Sequence, residues 1–151
     1  MKTFESIDEI LDFAMKAEQE AVEFYTQLAG KMKSKQIKEI FLQFAQEEVA
    51  HKARLQKIKD DKIFDMEVEK VSDLKIADYV VSTKASGEME YAEALVLAMK
   101  KEKAAFKLYT ALSERTTVPE LRKVFQALAV EESKHKLRFE LEYDEYVMRE
   151  N

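Results

Sequence analysis

The sequence predicts an all-α protein, an antiparallel four-helix bundle made of two repeated helical hairpins with a long crossover between the second and third helices. Three observations lead there. Only 2 Gly and 1 Pro occur in 151 residues, of which 36% are charged and 46% hydrophobic; that balance favours long helices and leaves little turn chemistry for a sheet. Apolar residues recur at alternating steps of three and four, the period of a helix with one buried side. The chain also repeats itself. Displaced by 84 residues, positions 10–57 align with 94–141 without a gap, and 16 of those 48 positions are identical, among them Glu18/Glu102, Tyr25/Tyr109, Glu48/Glu132 and His51/His135.

Each element follows in order. The first helix is predicted over about residues 6–31, with one face formed by Ile7, Leu11, Ala14, Glu18, Ala21, Tyr25, Leu28 and Met32. Gly30 can close it, and Ser34 is a suitable N-cap for the second helix, whose stripe is Ile37, Phe41, Phe44, Glu48, His51, Leu55 and Ile58. The third presents Tyr91, Leu95, Ala98, Glu102, Ala105, Tyr109 and Leu112. The fourth presents Leu121, Val124, Leu128, Glu132, His135 and Phe139, and its start is expected at Thr117, since Pro119 is tolerated only in a first turn. One domain over 1–151 results: a hairpin at about 6–59, a crossover at about 60–87 and a second hairpin at about 88–148. Within the crossover, Phe64, Met66 and Val68 alternate with acidic residues and suggest an extended stretch, with Ser72 capping a short helix through Val81.

Composition narrows the function classes. A net charge of −5 without a basic cluster argues against a nucleic-acid partner. No stretch approaches the ~18 apolar residues of a membrane span, and nothing near residue 1 reads as a signal peptide, so a cytoplasmic protein with no membrane partner is expected. With 0 Cys there are no disulfides, thiolate sites or cysteine nucleophiles. Any metal must sit on oxygen and imidazole nitrogen, which suits iron, manganese or zinc.

The informative residues are ionisable groups on apolar stripes. Glu20, Glu23, Glu90, Glu93 and Glu145 lie among lysines and read as solvated surface. Glu47 and Glu131 adjoin the candidate ligands but point about 100° away from the stripes, so surface is the main reading and support of the ligands from outside the minor alternative. Glu18, Glu48, Glu102 and Glu132 instead interrupt the stripes, and four buried carboxylates require compensation. The only two histidines, His51 and His135, each follow one of these glutamates by three residues. Glu-x-x-His from two helices, with a single Glu from each of the other two, is the ligand set of a dinuclear metal pair in a bundle. The depths agree. Glu18 and Glu48 are centred on Lys33, and Glu102 and Glu132 on Thr117, so hairpins folded at those points bring all six groups to one height. Ala14, Ala21, Ala98 and Ala105 leave volume for ions and a small ligand, and Tyr25 and Tyr109 can donate hydrogen bonds to ligating carboxylates. The competing reading is a pair of buried, metal-free Glu–His hydrogen bonds, with the tyrosines as plain core aromatics.

These motifs resemble the rubrerythrin branch of the ferritin-like di-iron carboxylate superfamily. They are Ala17-Glu18 with Tyr25 and Glu47-Glu48-x-x-His51, repeated as Glu102 with Tyr109 and Glu131-Glu132-x-x-His135. The resemblance spans nearly the whole chain. It implies a cofactor of two iron ions (Mn or Zn in their place) and a di-iron oxidoreductase that reduces hydrogen peroxide. Glu48 and Glu132 would bridge the metals, Glu18 and Glu102 would be terminal ligands, and each histidine would bind one ion. A ferroxidase using dioxygen and a non-enzymatic metal-binding helical module are the alternatives. Two departures stand out. Rubrerythrins carry a cysteine-rich rubredoxin domain, and with 0 Cys here electrons are expected from an external donor such as a rubredoxin-like protein. Many also place an extra glutamate one turn before the third-helix ligand, where this chain has Met99 (and Met15 in the first half), so a more symmetric site is expected. Relatives commonly form homodimers, and residues 64–68 are a candidate contact.

Overall fold

The computed structural model describes residues 2–32, 34–81 and 89–150. Four long helices carry the fold: α1 (Ile7–Gly30), α2 (Lys35–Asp61), α4 (Tyr91–Arg115) and α5 (Pro119–Glu150), with the short α3 (Val68–Ser72) and a single 3₁₀ turn (Ile76–Asp78) in the crossover. α1 packs along α2 and α4 along α5, whereas α1 and α4 meet only over a short stretch. The two repeated sequences are thus two antiparallel hairpins set side by side.

Local chemistry explains the boundaries. Ser6 Oγ accepts from the Glu9 amide at 3.1 Å, and Asp8 and Glu9 place negative charge in the first turn of α1, where the helix dipole favours it. Gly30 ends α1, but Lys31, not a left-handed glycine, follows it with ordinary helical dihedrals. Ser34 caps α2 as expected, accepting from Ile37 N at 3.4 Å; Lys33, the centre of that turn, lies outside the described residues. α2 stops at Lys62, whose φ of 53° places a side-chain-bearing residue in the left-handed region. Pro119 opens α5 at its first position, where the missing amide costs nothing. The helix starts two residues later than the expected Thr117, and Thr116 Oγ1 accepts from Val118 N at 3.2 Å in the turn before it.

The crossover corrects two expectations. The extended stretch ends before Val68, because the Lys70 and Val71 amides turn back onto Glu67 O at 2.9 and 3.1 Å and start α3 there. Ser72 therefore terminates a short helix, donating to Glu69 O at 2.9 Å, rather than capping one that runs to Val81. Of the candidate contact segment 64–68, Asp65 and Glu67 are exposed while the apolar Phe64 and Met66 turn inward. Phe64 and Met66 are buried, and Phe64 packs on Phe125 at 5.1 Å between ring centroids. Asp65 O accepts from Thr117 N and Thr116 Oγ1, both at 3.0 Å, which latches the crossover to the α4–α5 turn. The chain's beginning is tied to the same crossover through Phe4 N to Leu74 O and Ile76 N to Lys2 O. Residues 82–87 of the expected crossover lie outside the described residues.

Two apolar cores form. One gathers Leu11, Ala14, Leu55, Leu108, Leu112, Phe125 and Leu128; the other gathers Ala21, Leu28, Phe41, Phe44, Leu95, Ala98 and Phe139. Along α1, Glu18 falls between Ala14 of the first core and Ala21 of the second. The ionisable residues therefore occupy a layer with hydrocarbon on both sides, where an uncompensated charge is most costly.

Candidate metal centre

Glu18, Glu48, His51, Glu102, Glu132 and His135 all meet in that layer, each no more than 3% exposed. Their donor atoms form two overlapping groups. Glu18, Glu48, His51 and Glu132 bring one atom each within 4.8 Å of one another, and so do Glu48, Glu102, Glu132 and His135. Glu48 and Glu132 belong to both groups. Helical register makes this possible: Glu and His three residues apart share a face, and the antiparallel partner presents its glutamate at the same height.

The hydrogen bonds leave particular atoms over. Tyr25 Oη donates to Glu102 Oε1 and Tyr109 Oη to Glu18 Oε1, so each tyrosine serves the glutamate of the other hairpin. His135 Nδ1 contacts Glu48 Oε1 at 2.9 Å. His51 Nδ1 lies 2.8 Å from Glu132 Oε1 without the alignment of a hydrogen bond, and both atoms lack a partner. Glu18 Oε2, Glu48 Oε2 and Glu102 Oε2 are likewise buried with no hydrogen-bond partner. Buried polar atoms are nearly always satisfied. Five orphans in one layer, four of them carboxylate oxygens and one an imidazole nitrogen, are the donor set of hard-to-borderline cations.

Protonation shows the same strain. Burial, followed by the hydrogen bond and charge of Glu48, drives Glu18 well above the carboxylate range. Burial, then the charges of Glu102, Glu18 and Glu48, does the same to Glu132. Burial raises Glu102 too, against the pull of His135. Burial would also raise Glu48, but hydrogen bonds from Glu18, His135 and His51 hold it below the usual range. Burial lowers both imidazoles, yet the facing carboxylates prevail and push His51 up to about 10 and His135 up to about 11. Burial and the adjacent carboxylates keep both tyrosines well above 10, hence protonated donors. Without cations, burial and mutual repulsion favour protons in the layer, and divalent ions would relieve the same repulsion.

Two carboxylates off the stripes also reach the layer, which is only the minor reading of the sequence. Glu47 and Glu131, expected on the surface, reach the outer ring nitrogens: His135 Nε2 to Glu47 Oε2 at 2.8 Å and His51 Nε2 to Glu131 Oε2 at 2.9 Å. A side chain 100° from the core face of its own helix points at the neighbouring helix, and each carboxylate clamps the histidine of the other hairpin. Their conservation within the repeat was the available signal. Glu142 is a further buried carboxylate with no counterpart in the repeat, where its equivalent is Ile58. It accepts from Tyr91 Oη at 3.0 Å and Arg149 at 3.4 Å, ten residues along α5 from Glu132. The surface reading of Glu20, Glu23, Glu90, Glu93 and Glu145 holds. Met15 is buried in the first core and Met99 packs against the second.

Between α1 and α4 a cavity of about 530 Å³ descends to this layer, with Glu18, Glu48, Glu102, Glu132, Tyr25 and Tyr109 at its inner end. Ala14, Ala21 and Ala105 line it, whereas Ala98 is buried in the second core instead. No helix among the described residues is long and apolar enough to cross a membrane.

A family model for rubrerythrin matches residues 9–143. The chain belongs to the rubrerythrin family. Among solved structures this rubrerythrin-family chain is similar to a hypothetical protein from Pyrococcus furiosus, at 29% identity and TM-score 0.73, over 92% of this chain and 89% of that one. It also shares its fold with a Thermotoga maritima protein provisionally described as a ferritin-like diiron-carboxylate protein, at 22% identity and TM-score 0.79, over 97% and 99% of the two chains. No match was found among curated proteins. The buried Glu/His layer fits a metal-binding member of this family.

Proposed function

We propose that this protein is a di-iron oxidoreductase that reduces hydrogen peroxide with electrons from an external donor. The observation that carries the reading is the pair of overlapping donor groups sharing Glu48 and Glu132. Shared carboxylates suit bridges between two ions, and the unshared residues divide evenly, Glu18 with His51 and Glu102 with His135. Four carboxylates balance the four positive charges of two divalent ions, so the loaded layer carries little net charge. When bound, an iron pair supplies two electrons to a small oxidant.

The protein's own groups do the rest. Glu47 and Glu131 fix the two rings through Nε2 and turn Nδ1 toward the layer. Tyr25 and Tyr109 engage Oε1 of Glu102 and Glu18 and leave Oε2 of each for a metal. Their hydroxyls remain protonated and are the nearest neutral proton-bearing groups to the terminal carboxylates. The hydrocarbon cores shield the layer above and below, and the α1–α4 cavity is the approach left to it. These 151 residues hold 0 Cys, so the electrons are proposed to come from a donor outside them, such as one of rubredoxin type.

Stopped-flow mixing tests the proposal. The reduced, iron-loaded protein should be oxidised by hydrogen peroxide at least tenfold faster than by dioxygen. Faster oxidation by dioxygen together with turnover of added ferrous iron would establish a ferroxidase instead. Metal analysis giving no iron, or zinc alone, after loading with competing ions would leave a non-enzymatic metal-binding bundle.

A further inference from the structure

We propose that the α1–α4 cleft is a binding site for an elongated, uncharged apolar organic molecule whose polar end reaches the carboxylate layer. Size is the first argument. The cavity measures about 530 Å³, within the range of about 300–1,000 Å³ that holds small organic ligands. A two-oxygen oxidant needs on the order of two waters' share, ~60 Å³. The space therefore exceeds what peroxide and a pair of ions require by several fold.

The walls are the second argument. Ala14, Ala17, Ala21 and Ala105 face the cleft with nothing beyond Cβ, and Phe24 and Leu108 add apolar surface. This gap is where the two hairpins fail to close. On the opposite side of the layer the space is filled, with Phe44 stacked on His135 at 4.1 Å and Glu47 and Glu131 seated on the imidazoles. Among the described residues the cleft is thus the open approach to the layer. The mouth decides the ligand's charge: Lys16 and Lys101 stand there with Glu20 and Glu23, so it offers no net preference for either sign. Lys101 lies over the Phe24 ring at 5.6 Å, and Tyr79, Val80 and Val81 of the crossover complete an apolar rim. At the inner end the hydroxyls of Tyr25 and Tyr109 and the carboxylates of Glu18, Glu48, Glu102 and Glu132 make a polar surface for such an end group. As a substrate site this inference rests on the function proposed above; as a binding site it does not.

A homologous series of 1-alkanols, butanol to octanol, titrated calorimetrically into the full-length protein with and without metal is the test. Burial in the cleft makes affinity rise about fourfold per added methylene, on the order of 250-fold across the series. Ala17→Phe, at an exposed helical position lining the cleft, should flatten the series, and Ala105→Phe should do the same from the facing helix. Ala53→Phe, exposed on α2, should leave it unchanged. Affinity independent of chain length, or a series unaltered by Ala17→Phe in a protein of wild-type circular dichroism, overturns the proposal. Iron content of the same samples keeps the two readings apart. Alkanol binding without iron uptake upholds this site and refutes the metal centre; iron uptake with a flat series does the reverse.

Discussion

Replacing Glu131 by glutamine should weaken metal binding about tenfold, although residue 131 touches no metal in the proposed site. The carboxylate receives His51 Nε2 at 2.9 Å and is 44% exposed, with Arg54 at 3.8 Å. Outer partners of metal-bound imidazoles typically contribute about 10–100-fold in affinity. Here the exposure screens the purely coulombic part, and glutamine's carbonyl oxygen can still accept from Nε2–H and hold the ring. The low end, about 1.4 kcal/mol, is therefore expected. Glu131→Ala removes orientation as well as charge and should cost more, approaching about 100-fold. Glu47→Gln acts on the other imidazole, so the double glutamine variant should lose about 100-fold if the two contributions add. Competitive chelator titration with Co(II), which avoids oxidation, measures each step. Alanine and glutamine variants that both bind within about threefold of wild type would refute the reasoning, because the rings would then be held without their outer carboxylates.

Three further outcomes follow from the same geometry. Tyr109→Phe leaves Glu18 Oε1 without its donor, a hydrogen bond to a charged acceptor of roughly 1.5–3 kcal/mol; calorimetry of the metal-loaded variant should show the loss, and Tyr25→Phe should match it. Metal-free protein should lose stability as pH rises. Imidazoles raised to about 10 and 11 contribute fully below about 6.5, and that contribution disappears as pH climbs through the folded values. The raised Glu18, Glu102 and Glu132 act with the same sign from lower pH upward, while the lowered Glu48 opposes them only in acid. The melting temperature without metal should thus fall between pH 6.5 and 10, and the stabilisation by metal should grow over the lower part of that window; a flat metal-free profile would contradict it. Lys62→Gly should stabilise the protein by roughly 1 kcal/mol, because φ 53° strains a side-chain-bearing residue, and raise Tm by about 2–4 °C.

Much of this protein is written locally and can be read without coordinates. Ser6, Ser34 and Pro119 mark helix starts through chemistry confined to a few residues, and the three-and-four spacing fixes which side of each helix is buried. Glu18, Glu48, Glu102 and Glu132 betrayed themselves because a carboxylate on an apolar stripe is unexplained until something compensates it. The 84-residue repeat gave the hairpins, and equal spacings of 30 residues placed Glu18 level with Glu48 and Glu102 level with Glu132. Phe64 and Met66 look like a sticky strand in sequence and prove to be core, since only the folded bundle supplies Phe125 and the Thr116 turn to cover them.

Sequence by itself determined the helices, the buried stripes and the six groups that meet, because periodicity and short-range capping are properties of one chain segment. Tertiary structure alone decided who serves whom. Tyr25 reaches Glu102, Tyr109 reaches Glu18, Glu47 holds His135 and Glu131 holds His51, every one of them across the boundary between hairpins. It also decided that α1 and α4 stand apart and leave a cleft to the layer. The physical reason is that angular position around a helix is set by sequence, but the object it faces is set by how helices are packed, and no spacing within one segment encodes that distance.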